Sequence, residues 1–315
     1  MDAVTSPTGI QHQLASADGR THARVTEVGA SLRGLVIDGV DVIAPYPDDV
    51  PAPGASGIVL VPWPNRVRDG RWTQRGQTYQ LAITEPKFRN ASHGLLRFTA
   101  YAIARRTPDT LTLTADVFPQ TGYPFHVTSE VTYAVGDMGV TVHHVLTNVG
   151  DQDAPVALGT HPYLTLGDVP ASDITLHSPA DSRYVTDDRM LPIDLQPVDA
   201  ATDIRRPRTL AELSLDTVYT DLHRDPDGLA RTTLTAPDGR RVTHWQGEGF
   251  DFRVLYTNPG YPGRDTAIAI EPMTAPTDAL NSGTGLRWLV PGESWSLSWG
   301  IEYTGRQTQP RPPSA

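Results

Sequence analysis

The 315-residue sequence contains no cysteine, which excludes disulfides, thiolate metal sites and cysteine nucleophiles together. It has no apolar run long enough for a membrane span. Its start, Met1-Asp-Ala-Val-Thr-Ser-Pro-Thr-Gly9, lacks the basic and apolar regions of a signal peptide, so a cytoplasmic location is expected. Positive charge is in deficit: 26 Lys+Arg against 36 Asp+Glu leave a net charge of −10. Such a surface repels phosphate backbones and anionic bilayers, so neither nucleic acid nor membrane is an expected partner. Helical periodicity is nearly missing; only Thr209–Leu213 fits about one turn. No Gly-x-Ser-x-Gly, Gly-rich phosphate loop or His-Glu-x-x-His occurs, and the histidines lack ligand spacing. The expectation is a chain without metal or cofactor.

What is present is β structure. The 27 glycines and 28 prolines punctuate short runs rich in β-branched residues. Examples are Leu111–Val117, His126–Tyr133, Gly139–Leu146, Phe252–Tyr256 and Trp295–Ile301. Strands of this length and spacing predict an all-β fold, a large antiparallel sandwich. No fixed-period repeat and no linker divides the chain, so one domain is expected over residues 5–305. The polar, proline-rich tail 306–315 is expected to be disordered.

Two segments stand out. In Ile268-Ala-Ile-Glu-Pro272, alternation sends Ile268 and Ile270 to one strand face and Ala267, Ala269 and Glu271 to the other. Pro272 biases Glu271 toward extended backbone. In Pro155-Val-Ala-Leu-Gly-Thr-His-Pro162, alternation places Ala157, Gly159 and His161 on one face, and Pro162 restrains the histidine. A fixed carboxylate and a fixed imidazole, each over small side chains, read as a proton-transfer pair.

Three further segments accompany them. Val61-Pro-Trp-Pro-Asn-Arg66 ends in the polar pair Asn65 and Arg66, His93 precedes Gly94, and Asp216 sits among apolar residues in Leu215–Leu222. Each has a plain alternative. Asn65-Arg66 can stitch a turn, His93 can be a hydrogen-bonded loop histidine, and Asp216 can cap a turn, with Asp221 competing for any role given to it. His143 and His144 are adjacent, hence on opposite strand faces, and read as structural. Trp288, Trp295 and Trp299 read as core and sheet surface. Asp216 with Glu271 also supplies the carboxylate pair that a glycosidase needs, which leaves the histidine unexplained.

Together these segments resemble the aldose 1-epimerase (galactose mutarotase) family. The resemblance rests on Pro64-Asn-Arg66, His93-Gly94, His161-Pro-Tyr163, Leu215-Asp216, Glu271-Pro-Met-Thr274 and Asn281-Ser-Gly283, in that order, flanked by Gly29-Ala-Ser-Leu32 and Leu289-Val-Pro-Gly292. It implies a β-supersandwich, a cofactor-free site and interconversion of the α and β anomers of a free sugar. It implies Glu271 as general base and His161 as general acid, held on opposite sides of the sugar. Asn65, Arg66, His93 and Asp216 are implied as substrate-binding residues. Many galactose mutarotases carry a glutamine in the strand before the glutamate, where this chain has Val254 beside Arg253. Two alternatives remain open. One is a hexose-phosphate 1-epimerase in which Arg66, Arg68, Arg71 and Arg97 gather round the phosphate. The other is a non-catalytic carbohydrate-binding or sugar-sensing protein. The expected partner is a small sugar, and the protein is expected as a monomer or homodimer.

Overall fold

The computed structural model describes residues 6–305, so the tail expected to be disordered lies outside the described residues. Among the described residues two large sheets dominate, one of nine strands and one of eight, with a four-stranded sheet near the start and three two-stranded ones. Every strand pair is antiparallel, from Gln11–Ala15 with Thr21–Thr26 to the pairing of the last strand, Ser294–Thr304, with Arg241–Gln246. The large antiparallel sandwich expected from the sequence is therefore the observed architecture. The one-turn segment appears as a 3₁₀ turn, Leu210–Glu212.

Alternation explains the long strands. In Val127–Gly136 the side chains of Val127, Ser129, Val131, Tyr133 and Val135 are buried, and those between them are partly exposed. A main core cluster of buried side chains draws residues from Leu14 to Tyr303, including Val131, Tyr133, Ile268, Ile270 and Trp299. His144 and Trp299 join in it, Trp299 Nε1 donating to His144 Nε2 at 3.0 Å, while His143 faces outward and meets Ser298 at 2.9 Å.

The eight-stranded sheet carries the candidate site. Across it run Ala180–Thr186, Asp216–Leu222, Phe252–Asn258, Ala267–Met273 and then the short pieces Gly159–Thr160 and Tyr163–Leu164. The segment Pro155–Pro162 is not one strand. Ala154–Val156 pairs with Arg287–Leu289, and the chain steps across to pair Gly159 with Met273 and Leu60. A proline at each end removes a ladder donor, which favours such a break.

Candidate active site

Register sets the floor of the site. Gly159 pairs with Met273 and Tyr163 with Ala269, so the same register puts His161 opposite Glu271. Val254 lies across from Glu271 on the other side, and Val218 across from Val254. The next row is Asp216, Tyr256, Ala269 and Tyr163. Opposed residues of antiparallel strands share a face, so Asp216, Val254, Tyr256, Glu271, His161 and Tyr163 form one surface. Ile268 and Ile270 point into the core behind it.

Glu271 and His161 touch: Nε2 of the imidazole is 3.2 Å from Oε1 of the carboxyl. They stand side by side rather than on opposite sides. Glu271 is 2 % and His161 5 % exposed, yet among the described residues Glu271 Oε2 and His161 Nδ1 have no hydrogen-bond partner. A buried polar atom without a partner is costly, and here two belong to one adjoining pair. Burial pushes the Glu271 acid well above the ordinary carboxylate range, with the Asp216 charge adding to the shift and Arg66 opposing it. Burial likewise pushes His161 down to about 3. Both charged forms are disfavoured, so the pair's favoured state is a protonated carboxyl beside a neutral imidazole.

The small-residue floors serve another purpose than the sequence suggested. Ala267 and Ala269 pack against Tyr163 and Tyr261, whose rings lie 4.7 Å apart. The room they leave is filled by aromatic rings. The Tyr163 ring stacks on His161 at 5.3 Å, whereas Ala157 packs with Ala275 and Ala279. Gly159 is required by a different contact, because a Cβ there would come within 2.8 Å of Pro64 Cβ.

Pro64 leads directly into Asn65 and Arg66. Asn65 and His93 both adopt left-handed backbone, with φ of 57° and 62°, an uncommon state for non-glycine residues. They stabilise each other: the His93 N–H donates to Asn65 O at 2.8 Å, and the Asn65 N–H donates to His93 Nδ1 at 3.3 Å. Burial holds the His93 ring well below its usual pKa, with His161, Arg97 and Arg66 adding to the shift. A neutral ring accepting at Nδ1 carries its proton on Nε2, which makes that atom a donor. Gly94 sits where a Cβ would fall 2.1 Å from Val61 O, so no other residue lets the turn come this close. The His93 and His161 rings meet edge to face at 5.6 Å.

Arg66 is clamped by a residue outside every sequence motif. Glu85 accepts its Nε at 2.7 Å and its Nη2 at 2.9 Å. Arg66 also feels the charges of Asp216 and Glu271, which places all three in one field. Asp216 is exposed at the edge of the site. Its acid is nevertheless raised, chiefly by desolvation, with Arg66 opposing and Glu85 adding to the shift. Among the charges that shift Arg66, Glu271 and Tyr256, Asp216 appears and Asp221 does not. The later motif supports the earlier one: the Asp278 N–H donates to Arg66 O at 2.7 Å, and Asp278 Oδ1 accepts the Arg68 N–H and Asn281 Nδ2. Among the described residues, no three His, Asp or Glu side chains gather to hold a metal ion. Replacing Glu85 with Gln is expected to raise KM roughly tenfold with a smaller effect on kcat, because a charge-assisted hydrogen bond is worth about 1.5–3 kcal/mol. Steady-state kinetics on Glu85→Gln, with Glu85→Asp as the conservative control, check this.

Sequence reasoning missed Glu85, Tyr163 and Tyr256. Tyr163 stood within a quoted motif, but its stacking on His161 follows only from the strand break. Tyr256 feels Asp216, Arg66 and Glu271 and is partly buried beside the site. The question of Val254 and Arg253 is resolved by register: Val254 is on the site face, while Arg253 points to the interior and bonds Gln246 and Ser178.

The sequence and the fold match a known class. The sequence profile of the aldose 1-epimerase family covers residues 12–302, and the chain belongs to that family. It is 31% identical over 291 residues to the uncharacterized protein YihR of Escherichia coli K12, covering 91% of this chain and 92% of that one. Its fold matches a GalM/aldose epimerase homologue from C. elegans (TM-score 0.81, 19% identity, 95% of this chain and 100% of that one). It also matches a putative aldose 1-epimerase from E. coli K12 (TM-score 0.79, 19% identity, 94% and 99%) and galactose 1-epimerase from Lactobacillus acidophilus NCFM (TM-score 0.76, 19% identity, 92% of each).

Proposed function

We propose that the protein is an aldose 1-epimerase that interconverts the α and β anomers of a free aldose. The observation that carries this reading is the buried contact between Glu271 and His161, each with one atom left without a partner. Glu271, ionised, takes the proton of the anomeric hydroxyl, and His161, protonated, gives one to the ring oxygen. The bond from C1 to the ring oxygen breaks and a C1 carbonyl forms. Rotation about C1–C2 and the reverse transfers close the ring on the other face.

The proton count explains why the two groups stand together. Before ring opening the pair is a carboxylate beside an imidazolium; afterwards it is a carboxylic acid beside a neutral imidazole. The second state is the one burial favours. Desolvation therefore drives the transfer that opens the ring. The Arg66 charge, which opposes the rise of the Glu271 pKa, and hydrogen bonds from the substrate's hydroxyls support the carboxylate from which the cycle starts. Because charged and neutral pairs hold the same number of protons, the limbs of a pH–rate profile belong to the pair and to neither residue singly. In this reading His93 donates a hydrogen bond to the sugar, Arg66 binds near the ring oxygen, Asn65 positions Arg66, and Asp216 accepts from hydroxyls. A sugar-sensing protein has no use for a desolvated acid–base pair.

A second reading, an aldose bearing an acidic group, is favoured by Arg97. Arg66 is paired with Glu85, and Arg68 lies near Asp278 and Asp187. Arg97, whose charge reaches both His93 and His161, has no carboxylate within ion-pair distance among the described residues, and its buried Nε lacks a partner. NMR exchange rates for glucose, galactose, sulfonated glucose and glucose 6-phosphate decide. Exchange enhanced for none of them refutes epimerase activity on these sugars. For an acidic substrate, Arg97→Met is expected to raise KM by roughly tenfold or more, the loss of one charge-assisted contact, well beyond its effect on the neutral parent; equal effects on both refute the second reading.

A further inference from the structure

Behind the site, on the opposite face of the same sheet, lies a buried cation without a counter-ion. Arg253 is 0 % exposed. Its Nε donates to Gln246 Oε1 at 2.9 Å and its Nη1 to Ser178 Oγ at 2.8 Å, while Nη2 has no partner. No carboxylate lies within ion-pair distance among the described residues. The other charge acting on Arg253 is Arg224, a second cation that is itself paired with Asp251 at 2.8 Å. Burial lowers Arg253 to about 9, so it remains charged at neutral pH.

A second orphan adjoins it. His244 is fully buried, and neither ring nitrogen has a partner. Arg253 acts on it electrostatically. The two are linked through the strands: Ser178 Oγ bonds Thr232 Oγ1 at 2.9 Å, and Thr232 is the cross-strand neighbour of His244. The other side of the His244 ring is closed by Trp299, stacked at 5.4 Å. A neutral imidazole supplies one N–H donor. Two buried donor groups without acceptors, one of them charged, thus share one interior seam.

We propose that this seam binds a monovalent inorganic anion, with chloride as the probe, held by Arg253 Nη2 and an N–H of His244. Water can satisfy hydrogen bonds but leaves the charge uncompensated, and an uncompensated charge in the interior is among the costliest features a fold can carry. One unmatched cation calls for one negative charge; a divalent anion leaves a surplus.

The test uses protein purified without halide and melted in sodium chloride or sodium methanesulfonate at equal ionic strength. A ligand bound only by the folded state raises the midpoint as its concentration grows. The expected result is a midpoint higher in chloride than in methanesulfonate for the parent, with the difference lost in Arg253→Met. Diffraction from crystals soaked in sodium bromide should show an anomalous peak beside Arg253 Nη2, which decides the matter even if the variant does not fold. Identical salt responses of parent and Arg253→Met overturn the proposal, as does a bromide map without that peak.

Discussion

Glu271→Gln is expected to abolish anomerisation and yet give a protein that is more stable than the parent at neutral pH. The kinetic part follows from the proposed role: amide nitrogen and oxygen keep the shape but accept no proton, and a positioned base typically supplies about 10² to 10⁴ in rate. The stability part follows from linkage. The folded protein raises the Glu271 pKa above its ordinary 4.5. Folding therefore retains a proton that the unfolded chain releases, and stability is lost as pH climbs from the unfolded value through the folded one. The amide introduced by Glu271→Gln has no such proton to lose. The gap in melting midpoint between variant and parent should widen from about pH 4 to about pH 7. His161 has the opposite sign of linkage, since its pKa is lowered to about 3: the stability tied to its neutral form is present above the unfolded value of 6.5 and lost as pH falls toward 3. A Glu271→Gln variant with near-normal turnover removes Glu271 from the role of base. One that melts below the parent at neutral pH with the fold intact contradicts the desolvation argument.

His161→Asn and His93→Asn are expected to fail differently. Loss of a proton donor lowers kcat and kcat/KM together, whereas loss of a positioning contact weighs on KM. His161 touches Glu271 and is backed by the Tyr163 ring, so His161→Asn should cost about 10² to 10⁴ in kcat. His93 accepts the Asn65 N–H at Nδ1 and offers Nε2–H; His93→Asn should raise KM with a lesser loss of turnover. NMR exchange at several sugar concentrations separates the two. A collapse of kcat in His93→Asn alongside a change of KM alone in His161→Asn reverses the assignments.

The fold and the faces of the central strands were legible because they rest on local pattern. Alternation in Ile268–Glu271 gave the faces of that strand correctly, and the β-branched runs at 126–133 and 139–146 lie within or across the strands Val127–Gly136 and Gly139–Asn148. What lies against those faces was not legible. The alanines beside Glu271 looked like space for a ligand, but cross-strand register fills that space with Tyr163 and Tyr261. Glu85 clamps Arg66 from nineteen residues away, and no local spacing signals such a pair. Whether Val254 or Arg253 faced the site was a question of parity that a single known pairing, Val254 with Glu271, answers.

The Glu271–His161 pair and the Asn65–His93 loop differ in mechanical footing. Glu271 and His161 belong to the ladder of a central sheet, with the Ile270 amide bonded to Pro162 O at 3.1 Å. Asn65 and His93 hang on a pair of three-residue strands, Arg66–Arg68 and Asn90–Ser92, and on each other's left-handed backbone. Proteins open locally at their weakly tied segments long before their core strands yield. Sub-denaturing urea should therefore loosen the loop proposed to hold the sugar while the Glu271–His161 contact stays assembled, and the amide of Ile270 should exchange its hydrogen only when the whole molecule unfolds.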